Sequence, residues 1–431
     1  MLLQDLCATP IPPGFSLPEE VFIHPGAGDR LGEVASRYLN PPLLVLSDEN
    51  TRKAALGPME KFSRAFSGQW REMVLSGHAH TDDPTIAEVM TEGGGIGGIL
   101  AVGSGTINDI AKAAATRLGV PYLALGTAAS MNGYASGIVA VTSNGLKTTL
   151  AATPPRAILL DTEILCAAPL ALTQAGLGDL LSKPVSLADW WLSHQVEGAA
   201  YSELPGRIVS EAIDSILAEA AGIPARSPSA LETLARAVVL SGVSMVVAGS
   251  SSPASGGEHL ISHLWDMRAL AAGRPLRLHG AQVGVATLIT SALYQRVLSI
   301  RSPEFVPPRL WEAEAERIGA EHGPLAATVL PEAEQKHRLA AKRLEFLRRE
   351  WAGIRERLVS FGIPSPDRLR KPLLEAGAPH TLAELGVSRE EARQTLLNAR
   401  DIRNRYTLLD LAYELGVLPD SADEVLEESG V

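Results

Sequence analysis

Two histidines spaced by four residues are the feature of this chain best suited to chemistry. His259 and His263 lie in GGEHLISHLWDM (256–267), directly after a serine- and glycine-rich loop. A spacing of four puts both imidazoles on one face of a helix. The pair differs from the HExxH zinc motif because its glutamate, Glu258, precedes the first histidine. A surface or helix-capping role for the pair therefore stays open beside metal binding.

Two further residues extend this pair to a candidate metal site. His279 precedes a glycine in RLHGAQVGV, and Asp179 follows Gly178 in AGLGDLLSK (175–183). Two imidazoles and one carboxylate suit a divalent ion that keeps open coordination positions and acts as a Lewis acid. One histidine of a pair could hold such an ion while the other served in acid–base chemistry.

A glycine-rich turn in AVGSGTINDIAK (101–112) joins a predicted strand to a predicted helix. Gly103 and Gly105 allow the backbone to approach a ligand closely, and the helix N-terminus offers unpaired N–H groups and a positive dipole end. The turn also carries side-chain donors, namely Ser104, Thr106 and Asn108. It lacks the third glycine of GxGxxG and is not a P-loop, so an ordinary capped turn is the alternative to a pyrophosphate cradle.

A second turn of small polar residues, GTAAS (126–130), follows the next predicted strand. Two such turns at the carboxyl ends of adjacent strands would flank one crevice, where ligands bind in open α/β sheets. Asp48, at the end of an earlier strand, could accept a hydrogen bond from a ribose hydroxyl, or it could be a turn residue. An acidic residue at that place would favour NAD over NADP.

The elements that must position these residues change in type along the chain. Four apolar runs predict strands, and they lie at 43–50, 97–105, 121–127 and 156–162. Segment 106–119 predicts a helix with Gly119 as its C-cap. From about Ala167 onward the periodicity is helical. These patterns predict an α/β N-terminal domain over 1–166 and an all-α C-terminal domain over 167–431.

Composition narrows the class of protein. The chain has 431 residues, of which 46% are hydrophobic and 20% charged, and a net charge of -11. That charge argues against a nucleic-acid binder, which needs clustered Lys and Arg. Two unpaired cysteines, Cys7 and Cys166, indicate neither a disulfide framework nor a thiolate zinc site. We expect no signal peptide and no membrane span, with 237–249 as a buried core helix, and hence a cytoplasmic protein.

Several of these segments together resemble the sn-glycerol-1-phosphate dehydrogenase family, particularly its bacterial branch. This family belongs to the metal-dependent alcohol dehydrogenase and dehydroquinate synthase-like superfamily. The resemblance rests on SDENT, GSGTINDIAK, GTAASMNGYAS, AGLGDLLSKPVSLADW, GGEHLISHLWD, LHGAQVGV and ARDIRNRYTLLDLAYELGVL, and so spans nearly the whole chain. It implies a Rossmann-like N-terminal domain and a helical C-terminal domain.

The resemblance also implies roles for individual residues. Its dinucleotide-binding positions correspond to Gly105, Thr106, Ile107, Asn108, Asp109, Thr127, Ala128, Ala129, Ser130 and Ser136. Asp179, His259 and His279 would hold one divalent ion, which could be zinc, iron or nickel. Asp179 and His263 would contact substrate and act as the catalytic residues, and the second cofactor would be NAD or NADP.

One residue departs from the family pattern. Where the family reads Asp-Gly after the small-residue turn, this chain has Asn132, at a substrate-binding position. The parent reaction would interconvert dihydroxyacetone phosphate and glycerol 1-phosphate. Because an amide is neutral and has donors, another phosphorylated, phosphonylated or polyol carbonyl compound is the alternative substrate. Lys147 and Lys183 are candidates for a substrate phosphate, or simply surface lysines.

Two other functions are compatible with parts of this pattern. A sugar-phosphate cyclase of the dehydroquinate synthase type would use NAD transiently, but its glycine-lysine-rich turn is absent here. A non-catalytic nucleotide-binding scaffold is disfavoured by the full set of metal ligands. We expect a small polar, phosphorylated partner, no nucleic acid, and a possible homo-oligomer.

Overall fold

The apolar runs of the N-terminal part form a parallel sheet in a computed structural model that describes residues 3–143 and 146–431. The strands within these residues are β1 (Glu20–His24), β2 (Leu43–Asp48), β3 (Trp70–Leu75), β4 (Gly98–Gly103), β5 (Tyr122–Gly126), β6 (Ile138–Ser143), β7 (Leu146–Ala151) and β8 (Ala157–Asp161). One sheet has the order β1-β8-β5-β4-β2-β3 and only parallel pairings, while β6 and β7 form a separate antiparallel hairpin. The four predicted strands are β2, β4, β5 and β8, all inside the sheet, where burial on both faces requires continuous apolar runs.

The helices of the described residues fall into two series. Those up to residue 248 are α1 (Leu31–Tyr38), α2 (Glu49–Ala54), α3 (Leu56–Ala65), α4 (Asp83–Glu92), α5 (Gly105–Leu118), α6 (Thr162–Ala167), α7 (Leu170–Leu181), α8 (Lys183–Glu197), α9 (Glu203–Glu219) and α10 (Pro228–Ala248). The later ones are α11 (Gly257–Ala271), α12 (His279–Ser299), α13 (Trp311–His322), α14 (Ala326–His337), α15 (Ala340–Ser360), α16 (Pro366–Glu375), α17 (Leu382–Leu385), α18 (Arg389–Asn398), α19 (Leu408–Glu414) and α20 (Ala422–Ser429). Helix α5 ends as predicted at Gly119, which adopts the left-handed conformation with φ 69°.

One face of the sheet carries a core of apolar side chains. Val45, Leu100 and Leu123 come from three neighbouring strands and pack with Phe62 and Phe66 in one buried cluster. The phenylalanine rings stack with centroids 5.2 Å apart. This packing holds the carboxyl ends of the strands, and the turns that follow them, in fixed positions.

The chain divides into two units that interleave along the sequence. The first comprises the chain up to Leu180 together with Leu204–Ser251, and the second comprises Leu181–Glu203 and Ser252–Val431. The sequence predicted a single boundary after residue 166. Helix α10 belongs to the first unit because it packs against the turn Asn132–Ala135. This contact joins residues about a hundred positions apart, so local sequence patterns do not predict it.

Helix α10 is long and apolar enough, by length and composition, to cross a membrane, and it is the one such helix in the described part of the chain. However, 72% of its apolar window is buried inside the fold. Its segment 237–249 was expected as a core helix, and residues such as Val238, Val239 and Leu240 are fully buried.

Candidate active site

Three imidazoles cluster in the second unit. His259 and His263 project from the same face of α11, one turn apart, and His279 is the first residue of α12. The ring centroid of His259 lies 5.2 Å from that of His279 and 6.0 Å from that of His263, and the last two rings stack at 5.7 Å. Residues from separate sequence motifs are therefore brought together here.

The carboxylate predicted to join them is also in place. Asp179 lies in the last turn of α7. One ligand atom from each of Asp179, His259 and His279 lies within 4.8 Å of the others. Asp179 and His259 are buried, while His279 is half-buried. A nitrogen, nitrogen and oxygen donor set of this compactness fits a divalent ion with open coordination positions.

Two side chains that the sequence did not single out as functional fix the imidazoles. Glu258 Oε1 lies 2.8 Å from Nδ1 of His259, and Ser262 Oγ lies 3.3 Å from Nδ1 of His279. With Nδ1 engaged in this way, Nε2 is the ring nitrogen that would ligate a metal ion. Glu258 is fully buried, which makes its bond to His259 strong and its orientation fixed. Position was a signal for Glu258, which directly precedes the histidine it bonds, but not for Ser262, which precedes His263 and bonds to His279.

The glycine-rich turn joins β4 to α5 as predicted. Ser104 is the N-cap residue, but its side chain makes no capping hydrogen bond, and the first turn of α5 contains no acidic residue. A Cβ at Gly103 would lie 2.5 Å from the Cβ of Ile107, so the tight turn requires glycine there. Thr106 is exposed, whereas Ile107 and Asn108 are buried. A helix N-terminus of this kind fits an anionic phosphate group.

The second turn lies beside the first. Gly103 and Gly126 are register partners in β4 and β5, and the Thr127 N–H donates to the Gly103 carbonyl at 3.1 Å. The two turns therefore meet at one edge of the sheet, as expected for turns that follow adjacent strands. Thr127, Ala128 and Ala129 are buried, whereas Ser130 is half-exposed.

Two helices press on this small-residue segment through glycines. A Cβ at Gly176 of α7 would lie 1.9 Å from the Ala129 carbonyl oxygen, and one at Gly242 of α10 would lie 2.4 Å from the Asn132 carbonyl oxygen. Both hypothetical contacts are with backbone, which cannot move aside as a side chain can. The small residues of the segment thus serve close packing within the protein as well as the predicted approach of a ligand.

Asn132 begins the short 3-10 turn Asn132–Ala135 and is half-exposed. Its Nδ2 lies 3.3 Å from Oγ of Ser241, a buried residue of α10. Sequence reasoning missed Ser241, because it lies more than a hundred residues away in an apolar helix. This contact fixes the direction of the one amide that departs from the family pattern.

Lys112, the last residue of TINDIAK (106–112), bonds to the same 3-10 turn and to the residues that follow it. Its fully buried ammonium donates to the carbonyls of Gly133 and Ile138 at 2.5 and 3.0 Å and to Oγ of Ser136 at 2.8 Å. Burial lowers its pKa to about 8, although the carboxylate of Asp109, 3.7 Å away, acts in the opposite direction. The Ser136 hydroxyl is thus engaged inside the protein, and its predicted contact with the dinucleotide stays a prediction.

Asp48 caps a helix. Its Oδ1 accepts from the backbone N–H groups of Asn50 and Thr51, both at 2.8 Å, and Thr51 completes a capping box. The sequence left Asp48 either as a turn residue or as an acceptor from a ribose hydroxyl. The structure shows it capping the turn into α2, and the ribose contact stays a prediction.

The structure describes the side chain of only one of the two lysines considered for phosphate binding. Lys183 is fully buried and donates to the Ala254 carbonyl and Ser182 Oγ, both at 3.1 Å, so it is not a surface lysine. The side chain of Lys147 lies outside the described residues.

Comparison with known proteins identifies the family. The model of the iron-containing alcohol dehydrogenase family matches residues 22–169. The glycerol-1-phosphate dehydrogenase of Bacillus velezensis is 32% identical over 74% of this chain and 71% of its own length, and that of Pyrococcus horikoshii is 31% identical over 64% and 79%.

Solved structures share the fold at low identity. A probable glycerol dehydrogenase from Sinorhizobium meliloti has a TM-score of 0.62 at 19% identity, with 97% of this chain and 99% of that chain covered. An alcohol dehydrogenase from Oenococcus oeni has a TM-score of 0.63 at 15% identity, with coverage of 96% and 99%. The chain belongs to the glycerol-1-phosphate dehydrogenase family of the iron-containing alcohol dehydrogenase superfamily, whose members are NAD(P)-dependent oxidoreductases acting on CH–OH groups.

Proposed function

We propose that this chain interconverts dihydroxyacetone phosphate and sn-glycerol 1-phosphate with NAD or NADP and one divalent metal ion. The observation that carries the proposal is the convergence of Asp179, His259 and His279, three residues from separate motifs, with ligand atoms within 4.8 Å of one another. Support comes also from family membership, because the relatives at 31–32% identity are themselves glycerol-1-phosphate dehydrogenases.

The chain's own residues have distinct tasks in this proposal. Asp179, His259 and His279 would hold the ion, and the Nδ1 bonds to Glu258 and Ser262 keep the imidazoles in ligating orientation. When bound, the ion supplies Lewis-acid polarisation at the reacting oxygen and the nicotinamide supplies the hydride acceptor or donor.

His263 would handle the proton. Its ring stacks on that of His279 with centroids 5.7 Å apart, which would keep it beside the reacting oxygen without making it a ligand. We assign its imidazole to receive the proton released from the alcohol, or to return it when a ketone is reduced. Asp179 would touch the substrate as well as the ion.

The dinucleotide would lie along the turns of the first unit. Gly105 to Asp109, which begin α5, would bind its phosphates through the N–H groups of the first helical turn, although the Asn108 N–H already donates to the Ser104 carbonyl at 3.0 Å. Thr127 to Ser130 would line the same crevice, because β4 and β5 are neighbours. Asp48 and Ser136 complete the proposed set. A cytoplasmic location, a small phosphorylated substrate and a possible homo-oligomer belong to the same proposal.

The test is an assay with the purified protein loaded separately with Zn²⁺, Fe²⁺ and Ni²⁺. We expect NAD(P)H oxidation with dihydroxyacetone phosphate and much less with dihydroxyacetone, which lacks the phosphate. Absence of turnover with every metal, in protein that binds metal stoichiometrically, would exclude the glycerol-phosphate reaction and leave the oxidoreductase family assignment intact.

A second candidate is a dehydrogenase of the same fold that acts on another phosphorylated, phosphonylated or polyol carbonyl compound. It is favoured by Asn132, whose neutral amide bonds to Ser241 at the position of the family's aspartate. An amide does not repel an anionic ligand as a carboxylate does. If Asn132→Asp raises kcat/KM for glycerol 1-phosphate by about tenfold or more, a change of about 1.4 kcal/mol, Asn132 is the specificity determinant. An unchanged, already efficient activity would favour the parent reaction.

A further inference from the structure

One face of helix α8 is polar although it is completely buried. Lys183, Ser186 and Asp189 are spaced by three residues, so they line one side of the helix, and none is more than 1% exposed. We call this set the α8 clamp. It follows Asp179 closely in the motif GDLLSKPVSLAD (178–189).

Every member of the α8 clamp bonds to the backbone that leads into helix α11. Ser186 Oγ donates to the Pro253 carbonyl at 2.9 Å, and Lys183 Nζ donates to the Ala254 carbonyl at 3.1 Å. Asp189 Oδ2 accepts from the Gly257 N–H at 2.7 Å, at the first residue of α11.

The two remaining residues of that segment are also held. Arg405 donates to the Ser255 carbonyl, and Glu258 Oε1 accepts from the Gly256 N–H at 2.8 Å. Each residue from Pro253 to Gly257 therefore has a backbone group bonded to a side chain, immediately before His259.

Asp189 extends the clamp to the second histidine-bearing helix. Its Oδ1 accepts from the Tyr294 hydroxyl of α12 at 2.5 Å and from the Leu408 N–H of α19 at 2.8 Å. Helix α12 begins with His279. One carboxylate thus ties together the two helices that carry His259 and His279.

This arrangement is an unusual way to fill a core. Burying a lysine and an aspartate is unfavourable unless every bond is made, and apolar residues of similar volume would stabilise the core as well or better. What polar groups provide and apolar groups lack is direction, because each hydrogen bond fixes the position of one backbone atom.

We propose that the α8 clamp consists of positioning residues that place His259 and His279 for the metal ion. The inference rests on the proposed metal site. It also gives Lys183 a positioning role in place of binding substrate phosphate. Loss of a clamp bond should therefore change the geometry and affinity of the metal site more than it changes the fold.

The experiment is a titration of metal-free protein with Co²⁺, whose visible absorption bands report ligand geometry directly. Asp189→Asn replaces one carboxylate oxygen by an NH₂ group where three donors need acceptors. We expect the Kd for Co²⁺ to rise by about tenfold, the lower end of the effect of partners that bond directly to a metal ligand. Ser186→Ala and Tyr294→Phe remove one bond each, and we expect smaller rises with shifted band positions.

The matched control is Ser193→Ala, a buried serine of the same helix that lies beyond the clamp. It should leave both Kd and spectrum unchanged, and NADH binding should be unchanged in all variants. If Ser186→Ala and Tyr294→Phe fold and bind Co²⁺ with the wild-type Kd and spectrum, the clamp is not a positioning device, even where Asp189→Asn fails to fold. A wild-type protein that binds no Co²⁺ would overturn the metal site and the clamp with it, whereas metal binding without turnover of dihydroxyacetone phosphate would leave the clamp standing.

Discussion

The two turns that follow β4 and β5 in the first unit and the imidazole cluster of the second unit are built from different parts of the polypeptide. The turns present backbone, and glycines such as Gly103, Gly176 and Gly242 make room for it. The cluster presents side chains, and other side chains hold these in place through directed hydrogen bonds. A backbone site is therefore sensitive to added volume, whereas a side-chain site is sensitive to lost functional groups.

The largest effect should come from removing a ligand of the cluster. His259→Ala deletes one of three donors, and we expect the affinity for the divalent ion to fall by more than about 100-fold, with activity lost. His263→Ala is the matched control, since it removes an imidazole from the same helix face. It should keep a full complement of metal while kcat falls by about 10²- to 10⁴-fold. Elemental analysis after dialysis distinguishes the two, and full metal content in His259→Ala would remove it from the ligand set.

Added side-chain volume should destabilise the small-residue segment after β5 in the first unit. Gly176→Ala places a Cβ against the Ala129 carbonyl, so we expect the free energy of unfolding to fall by about 1–3 kcal/mol and NADH binding to weaken. Gly319→Ala, also in a helix but with open space around the new Cβ, should raise the free energy of unfolding by about 0.5–1 kcal/mol. Urea unfolding and NADH fluorescence measure both quantities. Equal effects of the two substitutions would contradict the packing account of the small-residue segment.

Lys112 is the exception in the first region, because there a buried charge holds a backbone turn. Its pKa falls from its ordinary 10.5 to about 8, so between those pH values the unfolded chain binds more protons than the folded one. The contribution of Lys112 to the free energy of unfolding should therefore rise with pH from about 8 to about 10.5, by up to about 3 kcal/mol at about 1.4 kcal/mol per pH unit.

The measurement is the difference in free energy of unfolding between the wild type and Lys112→Met, taken at several pH values. We expect the difference to become more favourable to the wild type as the pH rises through this window and to be flat below pH 7. A flat difference throughout would mean that the lysine titrates normally in the fold.

The smallest effect concerns Asp48. Asp48→Ala removes the cap of α2 and should lower the free energy of unfolding by about 1 kcal/mol, whereas Asp48→Asn keeps a capping side chain and should be nearly neutral. If the carboxylate also binds a ribose, Asp48→Asn will raise the KM for NADH severalfold. Thermal unfolding and initial rates give the two answers separately, and an unchanged KM would leave Asp48 a cap alone.

The features that could be predicted from the sequence are those that depend on interactions between residues close together in the chain. Strands β2, β4, β5 and β8 are continuous apolar runs, and the C-cap at Gly119 depends on one residue, so both are local signals. Strands β3 (WREMVL) and β7 (LKTTLA) mix polar and apolar residues and give a weaker local signal. Strands β1 (EVFIH) and β6 (IVAVTS) contain apolar runs of only three and four residues, and neither was singled out from the sequence.

The site divides in the same way. Residue types and the motif resemblance were enough to predict Asp179, His259 and His279 as metal ligands. In the fold their ligand atoms lie within 4.8 Å of one another. Ser241 and Lys112 could not be assigned, because each acts through contacts over twenty or more residues that only the folded chain creates. Lys183 and Asp48 show the converse, since residues that look available for a ligand are already bonded within the protein.

The contact between Gly242 and the Asn132 carbonyl has a consequence for how this protein could acquire a new substrate. Gly242 has no Cβ to displace the Asn132 carbonyl, so the backbone at position 132 can stay in place while the side chain there changes. Ser241 already bonds to the Asn132 amide. A library that varies positions 132 and 241 together should therefore exchange the polar groups at this place without a clash between α10 and the backbone of the turn.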